Sequence, residues 1–592
     1  MKLIAIFAFF LSSFQFVHAQ TKIPILERKV TLELINEKVP DALSRIGKEG
    51  AFSFSYNSSI ISNDQLVTIR VSGRPVREIL NEIFKETMEY KEKGNHLILS
   101  KVIKKQSTVI SIIISGYVEN SLTKERVPNA SVYDKKSVTS VITDEYGYFK
   151  MRLDKKEQSA SIAVSKRDFR DTLVTITAPG NQYLNISITP VGTDSLMLNA
   201  VTSSKDSIKE ELILPYEDEA NIQNISDTLY SDIQISLLPF LGSNGSLSGN
   251  TINNYSINML GGYSLGTRQI ELGFIINMDR GDVSWLQIAG VGNLVGGNVY
   301  GVQASGFFNV NGGETKAVQL TGFSNVNFKD FQGVQVAVSN INLKAADGVQ
   351  VGAMLNLTNA PSKGVQIAGI TNFQAANYIG PQIAGISNLA FKNISGSQIA
   401  AVFNYGKNVK GTQIGLFNYA DSLSGAPVGL VSFVRNGYHK LEVSADEVFY
   451  TNVAFRTGAQ KFYNILLAGF KPEQNINNGP VWTFGYGLGT APKLSRSLQL
   501  NIDLTSQHVS KGEFTSELSL LNKVHLGLDY KLAKKFSIYG GVTLNGYLTN
   551  SSFRDYPVLF TGYQPSIIND HTFDNGTNLK MWFGAKIGLR FL

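Results

Sequence analysis

The chain has 592 residues, 43% apolar and 17% charged. That is too rich in core-forming side chains for a disordered chain and too poor in charge for a coiled-coil rod. Lys and Arg exceed Asp and Glu by 54 − 47 = 7 with no long basic run, which argues against nucleic acid as a partner; with no cysteine, disulfides and thiolate chemistry are excluded.

Residues 1–19 read as a secretory signal peptide: Lys2, an apolar run at 3–11, then the small-residue site Val17-His18-Ala19. No later run is long and apolar enough for a membrane-spanning helix, so an exported chain of this kind is either soluble outside the cytoplasm or a β-barrel.

In 28–101 a strand at 29–34 precedes Val39, Ala42, Leu43 and Ile46 at helical spacing; strands at 52–56 and 67–71 follow. Val76, Ile79, Leu80, Ile83 and Phe84 make the stripe of a second helix, and Gly94-Asn95 turns a closing hairpin. This β-α-β-β-α-β-β order, with Val39-Pro40-Asp41-Ala42-Leu43, Phe52-Ser53-Phe54-Ser55-Tyr56 and Val76-Arg77-Glu78-Ile79-Leu80, resembles the STN domain of secretins and TonB-dependent receptors. The resemblance implies a periplasmic contact surface for a regulatory protein.

Residues 112–190 read as a small β-sandwich. Ile114-Ser115-Gly116-Tyr117-Val118, Val127-Pro128-Asn129-Ala130-Ser131-Val132 and Thr143-Asp144-Glu145-Tyr146-Gly147-Tyr148-Phe149 resemble the carboxypeptidase regulatory-like domain. That family implies a transthyretin-like sandwich without catalytic residues, in which Asp144 and Gly147 serve a turn. Asp144 and Glu145 read as solvated acids rather than calcium ligands. Residues 191–230 read as a linker: 203–230 is polar enough for a flexible tether, and Leu198-Asn199-Ala200-Val201-Thr202, faintly similar to the energy-coupling box of TonB-dependent receptors, reads as a linker strand. Within 231–264, two strands at 232–241 and 253–262 are candidates for the start of a barrel.

Periodicity organises 265–432. Gln287, Gln303, Gln319, Gln335, Gln350, Gln366, Gln382, Gln398 and Gln413 recur every 15 or 16 residues. Each is followed five or six positions later by Asn293, Asn309, Asn325, Asn340, Asn356, Asn372, Asn388, Asn404 or Asn418. Glu271 with Asn277 extends the frame backwards. Strand alternation would direct Gln366, Ala368, Ile370 and Asn372 to one side. Antiparallel barrel strands would need alternately short and long connections, whereas the connections here are nearly uniform, as in the parallel coils of a β-solenoid with aligned amide ladders. The ladder is either a polar binding face or a set of amides that satisfy one another. The unit at 413–419, Gln-Ile-Gly-Leu-Phe-Asn-Tyr, is similar to surface repeats of bacterial outer-membrane proteins.

From 438 to 592 the strands lengthen. Leu498, Leu500, Ile502 and Leu504 alternate with polar residues, as do Val524, Leu526, Leu528 and Tyr530, and Met581, Phe583, Ala585, Ile587, Leu589 and Phe591. Eight strands, at 439–447, 449–458, 462–471, 481–490, 497–508, 522–532, 536–549 and 579–592, fit an outer-membrane barrel with a polar lumen. The two at 231–264 would make ten and turn the repeats into an insertion. The last strand resembles the outer-membrane assembly signal, with its aromatic Phe591 one place early.

The expected fold is therefore mainly β: an α+β STN-like domain, a β-sandwich, a β-solenoid and an antiparallel barrel. Among His96, His439, His508, His525 and His571 no pair has metal spacing, and no nucleophile elbow or phosphate loop appears. No catalytic, cofactor or metal site is assigned; His525 reads as a lumen-lining group. The expected protein is a non-enzymatic outer-membrane surface protein of a Gram-negative bacterium, with its N-terminal domains in the periplasm. Its partners would be membrane lipid and a periplasmic regulatory protein; the alternative is a TonB-linked receptor, transporter or signal transducer.

Overall fold

The computed structural model describes residues 23–591 apart from 62–63, 86, 102–109, 156–159, 177–179, 193–213, 473–478, 553–557 and 561–563. The signal peptide and the Leu198–Thr202 segment lie outside the described residues. The fold is mainly β and forms two compact units: the chain up to Ser231 with Asn244–Thr251, and Asp232–Ser243 with the chain from Ile252 on.

The first unit opens with β1 (Lys29–Lys38), α1 (Val39–Glu49), β2 (Ser53–Tyr56), β3 (Leu66–Pro75), α2 (Val76–Phe84), β4 (Met88–Lys93) and β5 (His96–Lys101). β1 pairs antiparallel with β3, while β5 pairs parallel with β2 and antiparallel with β4 through the turn at Gly94. The helix stripes Val39, Ala42, Leu43, Ile46 and Val76, Ile79, Leu80, Ile83 close one core with Leu34, Val71, Leu97 and Leu99.

A sandwich follows: β6 (Ile110–Asn120), β7 (Ser131–Asp134), β8 (Thr139–Ile142), β9 (Tyr148–Lys155), β10 (Ala160–Ser165), β11 (Thr172–Ile176) and β12 (Gln182–Ile188). Its sheets are ordered β11-β10-β7-β8 and β12-β6-β9. Ile114, Val118, Val132, Phe149, Met151, Ile162 and Val164 fill the space between them. Gly116 is required where β6 meets β12, because a Cβ there would lie 1.7 Å from the Leu184 carbonyl oxygen.

The described end of the expected tether is ordered. Pro215 precedes α3 (Tyr216–Asn224), whose first turn carries Glu217, Asp218 and Glu219. Acids so placed favour a helix N-terminus, so the polarity of 217–219 belongs to a helix start, while the rest of the expected tether, 203–213, lies outside the described residues. Asn224 Nδ2 donates to the Asn129 carbonyl oxygen (2.7 Å) and to Ser131 Oγ (3.1 Å), which holds the helix on the sandwich.

The second unit begins with the repeat stack. Most coils contribute two strands, for example Val283–Ala289 and Gly292–Val295, which both pair in parallel with the same strands one coil on, while Phe331–Asn342 and Ala346–Thr358 each run through their coil as one strand. The strands expected within 231–264 belong to this stack and not to the barrel: Thr251–Asn258 pairs parallel with Gly266–Gly273, and Gly261–Ser264 with Ile276–Asp279. Their polar-in, apolar-out alternation is common to a barrel strand and to a coil of this stack, and only the pairing partner separates the two.

The last coil ends at Val434 and the barrel begins at Tyr438. Eight antiparallel strands close when Tyr438–Asp446 pairs with Thr577–Phe591, Leu441 facing Phe591. A short strand, Ile567–Thr572, only adds a hairpin to the last barrel strand. The barrel thus has eight strands without the two from 231–264.

Candidate functional site

All eighteen ladder amides are inside the stack, none more than 3% exposed. Gln303, Gln319, Gln335, Gln350, Gln366, Gln382, Gln398 and Gln413 each donate from Nε2 to the Oε1 of the Gln one coil earlier, at 2.7–3.4 Å. The Asn row runs the other way: Asn277 donates to Asn293 (2.9 Å) and the series continues, coil by coil, to Asn404 and Asn418 (2.9 Å). Each Asn gives its second hydrogen to a backbone carbonyl of the next coil, such as Asn293 to Ala304 (2.8 Å) and Asn372 to Ile383 (2.8 Å). Of the two ends of a side-chain amide only the N–H end can donate to a carbonyl, so the orientation of the row is set by the backbone. Buried amides paired in this way meet the demand for satisfaction, with Gln413 Oε1 at the end of the row the exception.

A third row went unread in the sequence. Asn311, Asn327 and Asn342, two places after the ladder Asn, are buried and donate to Gln303, Gln319 and Gln335. Val295 and Thr358 hold the places before and after these three, so the Asn does not persist along the stack and the row is marked only by its spacing from the Asn row. Asp279 starts this row, beside Glu271 in the Gln row. Gln287 Nε2 donates to Glu271 Oε2 (2.9 Å) and Asp279 Oδ2 (2.8 Å). Burial holds Asp279 well above the usual carboxyl range, with the Glu271 carboxylate adding to it; Glu271 is raised by burial.

The stack's outer side reverses the usual polarity. Alternation breaks at the bend between the two strands of a coil, so Ile370, expected beside Gln366 and Asn372, points outward, with Phe307, Phe323 and Ile386 at the same bend. The Gly of Gly-x-Gln sits where the first strand is distorted: Gly333, Gly348, Gly364 and Gly380 have φ of 129–142°, and a Cβ on Gly364 would lie 1.8 Å from the Gly348 carbonyl oxygen.

The barrel interior is an ion-paired plug. Glu442 takes Arg456 (2.7 Å), Lys586 (2.7 Å) and Arg590 (2.6 Å). Arg456 also reaches Asp503 (2.9 Å), Arg590 reaches Asp529 (3.0 Å), and Lys523 pairs with Asp446 (2.5 Å). His525 lies buried in this filling, its Nε2 3.3 Å from Thr505 Oγ1. Leu441, Ile502, Leu504, Val524, Leu526, Val542 and Ile587 are exposed outside. Where stack and barrel join, Tyr486 OH donates to the Gly429 carbonyl oxygen (2.7 Å) and Thr457 Oγ1 to that of Ser432 (2.9 Å).

Within the first unit, residues of the sequence motifs form a polar joint. Arg77 Nε donates to Glu27 Oε1 (2.8 Å) and its guanidinium lies 3.8 Å from the centre of the Tyr148 ring; Tyr117 OH donates to Glu27 Oε2 (3.1 Å). Arg126 stacks on Tyr117 (3.7 Å) and pairs with Glu78 (3.2 Å). Burial raises the Glu27 carboxyl against the pull of Arg77. Asp144 Oδ1 accepts from the Tyr146 and Tyr148 amides (3.0 and 2.9 Å), the turn role its motif implies. Among the described residues no group of three or more His, Asp or Glu is arranged to hold a metal.

Residues 114–202 match the family model of the CarboxypepD_reg-like domain. Comparison with curated proteins finds no match for the chain. A CarboxypepD_reg-like domain and a closed barrel fit a non-enzymatic surface or outer-membrane protein in general.

Proposed function

We propose that this chain is a non-enzymatic outer-membrane protein whose barrel anchors it, whose repeat stack is its working surface, and whose STN-like module at 28–101 contacts a periplasmic regulatory protein. The carrying observation is the barrel's inverted polarity: apolar side chains outward on eight strands, and Glu442, Arg456, Asp503 and Arg590 paired inside. Charge networks inside and greasy side chains outside suit lipid as the surrounding solvent. An eight-stranded barrel is just wide enough to be filled by side chains, which supports an anchor rather than a solute pathway.

Loop lengths support an orientation. Strands next to the stack's junction are joined by residues 460–461, 491–497 and 534–535, while the opposite end has 447–450, 472–480, 512–518 and 551–576. Short turns face the periplasm in such barrels, so the stack joins the barrel at its periplasmic end, a revision of the cell-surface placement expected from the repeats. The test is outer-membrane fractionation with gels run before and after boiling, together with solute flux into liposomes. A folded band that shifts on boiling and an absence of flux are expected; passage of small sugars would overturn the anchor reading.

A further inference from the structure

In every copy from Gln287 to Tyr419, the segment from the ladder Gln to the residue after the ladder Asn contains no charged side chain. The charges of the repeats, such as Asp282, Glu314, Lys329, Asp347, Lys363 and Lys392, all fall in the other half of the coil. The uncharged half has three outward surfaces. Ile288, Leu320, Val336, Ile367 and Ile383 line the first strand; Phe307 (54% exposed), Phe323 (49%) and Ile386 (47%) occupy the bend; Phe373, Leu389, Tyr405, Tyr419 and Phe433 follow on the second strand.

At about 4.8 Å per coil this surface continues for about 50 Å, far more exposed apolar area than a soluble monomer carries. It is also apolar on both sheets and on the edge between them. A second copy docked on one sheet would leave the other sheet and the edge in water, whereas lipid covers all three at once. The surface is continuous through the last coil with a barrel of the same polarity, to which Tyr486 and Thr457 bind it. Backbone groups within the stack pair with neighbouring coils, so burying this half in hydrocarbon leaves no unsatisfied ladder along its length.

We infer that the repeat stack is a membrane-inserted wedge: the bend edge bearing Phe307, Phe323, Ile370 and Ile386 enters the acyl chains of the membrane that holds the barrel, and the charged edge stays at the headgroups. This rests on the barrel being membrane-embedded. The full chain, which has no cysteine of its own, is reconstituted in phospholipid vesicles with a fluorescent label on single cysteines. Phe307→Cys and Ile370→Cys probe the edge, Glu314→Cys the opposite turn, and Val524→Cys the barrel exterior; each variant must first show the heat-shiftable folded band. Nitroxide on the lipid acyl chains is expected to quench the label at positions 307, 370 and 524 severalfold and to spare 314. Quenching at 524 with 307 and 370 matching 314 would overturn the wedge and leave the barrel reading standing. A blue-shifted but unquenched label at 307 and 370 would mean a protein cover and overturn it equally. No quenching at 524 would remove the membrane reading and the wedge with it.

Discussion

Gln287 donates its side-chain N–H to Glu271, one coil earlier and 2.9 Å away, so a ladder of neutral amides begins on a carboxylate. Asp279 packs beside it and shares the same donor. Both carboxyls are raised in the folded chain, Asp279 most.

The sign of the pH effect follows. A carboxyl raised by folding favours the folded state below its unfolded pKa of about 4, and that contribution is lost as pH rises through the folded value. Hydrogen-exchange protection of residues 252–295 is therefore expected to fall as pH rises above the unfolded carboxyl pKa of about 4. Asp279→Asn, which matches Asn311 and Asn327 further along the row, should flatten that fall. An unchanged pH profile would show that the pair does not titrate in this range.

Ladder position sets the cost of losing an amide. Gln366→Leu strands the Gln382 donor and takes the amide donor from Gln350, whereas Gln413→Leu takes a donor from Gln398 and from the Tyr419 carbonyl but also removes Gln413 Oε1, a buried oxygen that has no partner of its own. At about 1–3 kcal/mol for each buried orphan, the middle substitution should destabilise the stack by about 2–6 kcal/mol and the end one by roughly half as much. Urea titrations read by exchange of residues 350–400 would measure the difference; equal costs would mean that the ladder does not act as a chain of dependent bonds.

The joint of the first unit gives a second pH signature. Arg77→Met removes the cation that draws the Glu27 carboxyl down, leaving Tyr117 as its donor. Glu27 should then rise further, so the variant's deficit in thermal stability should widen as pH increases above the ordinary carboxyl range. A deficit independent of pH would assign Arg77's contribution to its stacking on Tyr148 alone.

Legibility tracked what repeats. Gln303 and Asn309 were readable because each coil meets the same environment and keeps the same residue type, and alternation at Val524–Tyr530 exposed the barrel strands. Strand alternation misplaced Ile370 because the bend before it resets which side faces in, and the apolar exterior stayed hidden for the same reason. The third row varies from Val295 to Asn311 to Thr358, so period alone did not mark it. At Asn253–Asn258 the pattern suited either architecture, since both turn polar groups inward. The barrel's ion pairs were illegible because Glu442 and Arg590 are 148 positions apart and meet only through closure.

That closure makes Glu442 the most consequential carboxylate of the barrel. It stands on the first strand opposite Arg590 of the last, and faces Arg456, Lys586 and Arg590 with no exposure to solvent. Removing its charge leaves three cations crowded in a low-dielectric interior, and breaking such a buried pair costs about 3–5 kcal/mol. Glu442→Gln keeps the shape but leaves one acceptor oxygen where Ser444 and Lys586 use Oε1 and Arg456 and Arg590 use Oε2, so its effect combines the lost charge with a lost acceptor. The temperature at which the folded gel band converts to the unfolded one should drop markedly in this variant. Adding Lys586→Met, which deletes one of the crowded cations, should recover part of the loss. If the double variant were as unstable as the sum of the two single changes, Glu442 and Lys586 would be independent, and the seam between the first and last strands would be held by backbone pairing rather than by charge.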